Sequence, residues 1–282
     1  MPSIVLSYEQ DFSLDQTLGC GQVFRWDRDD KGWWYGVVGD KVIRIRQTGN
    51  RLTFKGASSS WITRYFSLDI DLHPILTSID RDPVIHTAIQ QCTGLRLIRQ
   101  PVWECLVSYI CSTNSNIPMI RRRIANIAAQ FGKEIMFEDK RYFSFPDPSA
   151  ISCSDGHSIA HCKLGYRTPY VMDTACMISD FRRWEDTITA QPFEEARGEL
   201  MKFPGVGPKA ADCILLFGFQ KYEAFPVDVW IRRIIHHNYI KNLNTVSALT
   251  TREYDSIRQF AKSYFGDYCG FAQEYLYAAR KR

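Results

Sequence analysis

The sequence has no closely spaced cysteine pair. Its nine cysteines are Cys20, Cys92, Cys105, Cys111, Cys153, Cys162, Cys176, Cys213 and Cys269, and no two form a Cys-x-x-Cys motif. That scatter gives little support to a zinc ribbon or a four-cysteine iron–sulfur site. An odd number of dispersed thiols fits buried, reduced residues better than a disulfide framework. No side-chain metal site and no cofactor is therefore expected, while an ion held by backbone carbonyls of a hairpin turn stays open. Long apolar runs are also missing: none approaches the roughly 18 residues that span a bilayer, so no membrane partner is expected. The first residues, Met-Pro-Ser-Ile-Val-Leu-Ser-Tyr-Glu, carry no basic lead and too short an apolar stretch for a signal peptide. With no evident targeting extension, the expectation is a prokaryotic cytoplasm. There is no internal repeat and no low-complexity linker. Neither sign of charge dominates: 35 Lys+Arg against 31 Asp+Glu leave a net +4. Such a balance admits a polyanionic partner without demanding one.

What remains is an ordinary globular composition. Of 282 residues, 45% are hydrophobic and 23% charged, which argues against disorder, collagen or a fibrous coil. The length fits one large domain or two modest ones. Aromatics reach 13%, enough to fill a large core or to stack on bases.

Residues 20–56 read as β-structure. Arg51-Leu-Thr-Phe-Lys55 alternates cleanly and Val42-Ile-Arg-Ile-Arg46 partly so. Gly39-Asp40 and Thr48-Gly49-Asn50 mark turns, which makes an antiparallel meander. From about residue 72 the period becomes helical. Ile117, Ile120, Ile124, Ile127 and Phe131 recur at steps of three and four, with Pro118 in the first turn and Gly132 as the stop. Arg121, Arg122 and Arg123 form either a solvated face or a phosphate-facing patch. Phe145-Pro-Asp-Pro-Ser149 reads as a loop. The fold class is α+β: an antiparallel-sheet unit with helices over 1–97, then a mostly helical unit over 98–282.

The most informative segment is Leu200-Met-Lys-Phe-Pro-Gly-Val-Gly-Pro-Lys-Ala-Ala-Asp-Cys-Ile-Leu-Leu216. Pro204, Gly205, Val206 and Gly207 force a tight turn between two helical patterns. Pro208 opens the second helix. Glycines let the backbone approach another surface, and the free amides at a helix start attract anions. A plain helical corner with glycines for steric reasons is the other reading. Lys209 stands one or two residues into that second helix. A helix start and desolvation both disfavour an ammonium, and a neutral amine can form a Schiff base with an aldehyde-level carbon. An arbitrary lysine is usually a solvated surface charge.

Nineteen positions after Lys209, Ala224-Phe-Pro-Val-Asp-Val-Trp230 brings Asp228 to a helix start. It is placed as an N-cap, and a carboxylate can also do chemistry. An amine nucleophile beside an anion is what cleavage of an N-glycosidic bond needs. Further on, Gln273 and Tyr277 are four apart and share a helical face. An amide and an aromatic can read a base edge and cover its face, or serve as a surface Gln and a core Tyr. Cys213 alone reads as a small buried apolar residue.

Leu-x-x-Phe-Pro-Gly-Val-Gly-x-Lys followed by Phe-Pro-Val-Asp resembles the helix–hairpin–helix DNA glycosylases with a Gly/Pro-rich loop and a catalytic aspartate. Only Cys269 lies near the chain end, so the sequence resembles a branch without a cluster. Leu18-Gly-Cys-Gly-Gln-Val-Phe-Arg-Trp26 resembles the amino-terminal domain of the 8-oxoguanine DNA glycosylases. Pro101 to Ile117 resembles their next helix and gap-filling loop, and Lys163-Leu-Gly-Tyr-Arg-x-x-Tyr170 their wedge.

The resemblance implies a bifunctional glycosylase and abasic-site lyase acting as a monomer on double-stranded DNA that contains oxidised guanine. Lys209 would attack C1′ and Asp228 stabilise the transition state. Gly205, Val206 and Gly207 would grip phosphate. The Gly21 carbonyl would accept N7–H of the lesion, which ordinary guanine lacks. Gln273, Tyr277 and Cys213 would line the base pocket. Asn114 would fill the duplex gap, Tyr166 wedge beside it and Arg167 hold the opposite cytosine. Met119 departs from an arginine that reads that cytosine in eukaryotic members, which implies looser discrimination. Trp230 departs from a histidine near the phosphate and is either without an implied role or weakly DNA-facing. His236 and His237 read as ordinary helix residues. A sister glycosylase for alkylated bases or oxidised pyrimidines, and a non-catalytic DNA-binding module, are the rival readings.

Overall fold

The structure, a computed structural model, describes residues 1–7, 10–181, 183–240 and 248–280. Its first part is a five-stranded antiparallel sheet in the order β1-β5-β4-β3-β2, with β1 Ser3–Val5, β2 Trp26–Arg28, β3 Trp34–Val38, β4 Lys41–Thr48 and β5 Arg51–Lys55. Val38 pairs with Lys41 and Thr48 with Arg51, so Gly39-Asp40 and Gly49-Asn50 are two-residue hairpin loops. In β5 the alternation buries Leu52 and Phe54 completely and leaves Arg51 and Lys55 outside.

The sheet departs from the sequence expectation at its start. Residues 20–25 form no strand, because a helix, Leu14–Gly19, precedes them and Gly21 adopts a φ of +113°. Strand β1 is only three residues long and joins the far edge beside β5, too short for a period to register.

The remainder is helical. Helix Ile117–Phe131 runs between the expected limits, buries Ile120, Ile124 and Ile127, and ends at Gly132. Each such side chain contributes about 2 kcal/mol of transfer free energy. A two-stranded hairpin, Glu134–Phe137 with Lys140–Phe143, follows. The Phe145–Ser149 stretch is irregular only to Asp147, because Pro148 opens the short helix Pro148–Ser152.

Two apolar cores hold the chain. The smaller lies under the sheet around Trp26, Ile43, Ile45, Leu52 and Phe54. The larger fills the helical body, and it includes Leu72, Ile75, Ile79, Ile85 and Ile89 from within the first ninety-seven residues. The helices Leu72–Ile79 and Pro83–Gln91 therefore belong physically with the helical body. Gln22 stitches the two parts. Its side-chain amide donates to the Thr17 and Arg96 carbonyls at 3.0 and 2.9 Å and accepts the Ile98 amide at 2.8 Å, while its carbonyl accepts the Gln100 side chain. Those bonds fix the backbone next to Gly21.

Candidate active site

The hairpin consists of helices Phe193–Leu200 and Pro208–Phe217 joined through Phe203 to Gly207. Gly205 has a φ of +79°, and a Cβ there would strike the Tyr170 ring at 2.8 Å. Glycine is required on both counts. Among the described residues no side chain caps the second helix, whose N-cap Gly207 faces open space. Its first amides are thus left for an external anion. Val206 is buried, and its amide already donates to the Phe203 carbonyl at 3.1 Å. The outward-facing part of the turn is Gly207 and the helix start behind it.

Lys209 occupies the second position of that helix and is half-buried. Its Nζ lies over the Tyr109 ring, 4.8 Å from the centroid. Tyr109, on helix Val102–Ser112, is buried and stacks on Phe217. One helical turn beyond Lys209 is Cys213. Burial pushes its thiol up to about 12, against the lowering influence of the neighbouring lysine. The thiol is therefore neutral, a small apolar wall rather than an anion.

Asp228 is the N-cap of helix Val229–Asn238. Its Oδ1 accepts the amides of Trp230 at 2.9 Å and Ile231 at 2.8 Å. The cap locks the carboxylate in one orientation.

Lys209 and Asp228 open onto one cleft of about 1090 Å³, just above the roughly 300–1,000 Å³ usual for ligand sites. The same cleft is lined by Gly21, Cys213, Gln273 and Tyr277, so all six residues expected for chemistry and base recognition converge. Gly21 lies against helix Ile117–Phe131 and the last helix, Cys269–Ala279: a Cβ there would stand 3.3 Å from Ile117 and 3.8 Å from Tyr277. Gln273 is 5% exposed and its Oε1 is buried without a partner among the described residues. A buried, unpaired amide oxygen costs about 1–3 kcal/mol, which a bound donor would recover. Burial raises the Tyr277 hydroxyl well above its usual range, opposed by Arg280 stacked on its ring.

At the rim, Asn114 is exposed, lines the cleft and takes a left-handed φ of +47°, which asparagine tolerates. Tyr166 is 52% exposed, and its hydroxyl donates to the Thr113 carbonyl at 3.2 Å. Arg167 is 4% exposed. Its guanidinium packs on Tyr166 and donates to the carbonyls of Thr113 and Asn114. This arginine thereby braces the loop that carries Asn114. Met119 is 39% exposed near the start of its helix.

The arginine triplet divides. Arg121 bonds Asp27 and the Trp26 carbonyl, Arg123 bonds the Cys111 carbonyl and Ser115, and Arg122 is exposed. Two of the three hold structure, because the helix lies against the sheet on one side and the Asn114 loop on the other. Trp230 is 48% exposed beside the cleft, with Arg233 over its ring. His236 is buried against Glu253 at 2.9 Å. Tyr109 and Glu274 also line the cleft, and neither falls in a motif that the sequence singles out. Among the described residues no three His, Cys, Asp or Glu side chains cluster to hold a metal ion, and no helix is long and apolar enough to cross a membrane.

Residues 4–106 match the family model of the 8-oxoguanine DNA glycosylase N-terminal domain. A probable N-glycosylase/DNA lyase of Methanothermobacter thermautotrophicus is 31% identical over 241 residues, covering 77% of this chain and 73% of the relative. The 8-oxoguanine glycosylase/lyase of Clostridium acetobutylicum superposes in its apo form with a TM-score of 0.89 at 32% identity, over 99% of this chain and 96% of that one. Its complex with double-stranded DNA containing cytosine opposite 8-oxoG gives a TM-score of 0.88 at 31% identity, over 99% and 97%. Matched at both its sheet and its helical body, the chain belongs to the 8-oxoguanine DNA glycosylase/lyase family.

Proposed function

We propose that Lys209 is the nucleophile and Asp228 the charge-stabilising carboxylate of an enzyme that excises 8-oxoguanine from duplex DNA and then nicks the abasic strand. The observation that carries this reading is the convergence of Lys209, Asp228 and the base-reading groups on one cleft. The lesion nucleotide swings out of the stack into that cleft, at a cost of a few kcal/mol. Asn114 and Tyr166 occupy the place it leaves, and the hairpin start grips phosphate through Gly207 and the amides that follow it.

Chemistry begins when the Lys209 amine attacks C1′ and the C1′–N9 bond breaks, its electron pair leaving with the base. Positive charge builds on the sugar in the transition state, and Asp228 stabilises it from a fixed orientation. Loss of an amine proton and opening of the ring give an imine between Lys209 and C1′. Removal of a C2′ proton then expels the 3′ phosphate by β-elimination, and water releases the lysine. Recognition rests on N7, where 8-oxoguanine offers a proton and guanine a lone pair. A carbonyl at Gly21 attracts the first and repels the second. Gln273 pairs with the base edge while Tyr277 and Cys213 enclose its faces.

Excision rates on duplexes carrying 8-oxoguanine, 3-methyladenine or thymine glycol test the substrate. Preference for 8-oxoguanine over both by at least about a hundredfold supports the reading. Equal or faster release of either competitor contradicts it.

A further inference from the structure

The two reactive groups stand on separate elements, and one buried network ties those elements together from behind. Asp212 lies three residues beyond Lys209 on the same helix and is fully buried. Its Oδ1 accepts Nε of Arg197 at 2.8 Å, from the first hairpin helix. Its Oδ2 accepts the Tyr254 hydroxyl at 2.6 Å and pairs with Nε of Arg258 at 3.3 Å. Tyr254 and Arg258 belong to helix Thr251–Phe265. The Tyr254 oxygen in turn accepts the amide of Val227 at 3.3 Å. Val227 is 1% exposed and directly precedes Asp228. One hydroxyl therefore joins the helix of the nucleophile to the backbone that delivers the carboxylate.

We infer that Tyr254 is a positioning residue for base excision: its hydroxyl, held by Asp212, sets where Asp228 stands relative to Lys209. The inference rests on the reading of Lys209 and Asp228 given above. The cap bonds fix Asp228 only against its own helix, whereas Tyr254 registers that helix against the hairpin. Removing the hydroxyl leaves a buried amide without its acceptor, and a buried amide shifts toward another partner. A displacement of about 1 Å at a reacting group can cost a hundredfold in rate.

The test is single-turnover excision of 8-oxoguanine by the full chain, by Tyr254→Phe, by Asp228→Asn and by the double variant. Phenylalanine keeps the ring and deletes one oxygen. Tyr254→Phe is expected to slow excision by about tenfold or more without weakening binding to a tetrahydrofuran-containing duplex. Borohydride trapping on a preformed abasic site, where no base has to leave, stays within about twofold. In the Asp228→Asn background the same change adds less than about twofold, because there is no carboxylate left to misplace. Glu194→Ala removes the 2.7 Å surface partner of Arg258, at the exposed edge of the same network, and serves as the control for disturbance of that network, with excision expected to stay within about twofold. Unchanged excision in Tyr254→Phe, or an equal loss in both backgrounds, would overturn the inference. Undiminished excision by Asp228→Asn alone would overturn the reading of Asp228 and the inference with it.

Discussion

Oδ1 of Asp228 accepts the Ile231 amide at 2.8 Å, so the carboxylate proposed for chemistry also starts a helix. The two duties separate by substitution, because asparagine caps about as well as aspartate but carries no charge. Asp228→Asn is expected to keep the wild-type melting temperature and to slow excision by about a hundredfold or more. Asp228→Ala loses the same activity and about 1 kcal/mol of stability besides. Thermal melts and single-turnover assays check both. Equal destabilisation by the two variants, or full activity in Asp228→Asn, contradicts the division.

Gln273 offers the opposite bargain between stability and function. Its buried Oε1 lacks a partner among the described residues, so Gln273→Met removes a desolvated acceptor at similar volume. The free protein is expected to melt at the same temperature or higher. Excision of 8-oxoguanine falls by about tenfold or more, since the base edge loses its partner. A lower melting temperature with unchanged excision would place Gln273 among the structural residues.

Met119, 39% exposed, cannot donate the hydrogen bonds that distinguish cytosine. The native enzyme is expected to excise 8-oxoguanine opposite C, A, G and T with only modest differences. Met119→Arg adds a donor worth about 1–3 kcal/mol of discrimination in a good bidentate geometry, so preference for cytosine rises by about tenfold. A sharp cytosine preference in the native protein rules the idea out.

Cysteine reactivity reports the state of the cleft. Cys213 is buried with a thiol pushed up to about 12. It therefore stays protonated at neutral pH and becomes a thiolate only as the pH approaches that value. Cys153 and Cys176 are exposed. Iodoacetamide at neutral pH is expected to label those two first and to spare Cys213 until the protein unfolds. Mass-spectrometric mapping reads the order, and early labelling of Cys213 contradicts a neutral buried thiol.

Local signals carried most of what the sequence disclosed. Gly39-Asp40 and Gly49-Asn50 mark the hairpins, and the isoleucine period marks the helix from Ile117 to Phe131. The turn–lysine–aspartate order marks the cleft. The hairpin Glu134–Phe143 escaped because its turn residues Glu138 and Asp139 take φ of +48° and +60° without a glycine, so the usual turn signal is missing. The bracing roles of Arg121, Arg123 and Arg167 escaped for another reason. Which carbonyl a guanidinium meets is fixed by packing between elements far apart in the chain. Asp212 reads as one more polar residue in a helix, and only the fold brings Arg197, Tyr254 and Arg258 around it.

The central claim is that the Lys209 amine forms the covalent bond to the sugar. The direct measurement is borohydride trapping on a duplex containing 8-oxoguanine, followed by peptide mapping of the adduct. The account predicts one reduced adduct, on Lys209, in the native chain. Lys209→Gln is predicted to bind the same duplex, form no adduct and lose excision by at least about a thousandfold. An adduct on another residue, or retained excision in Lys209→Gln, would contradict it.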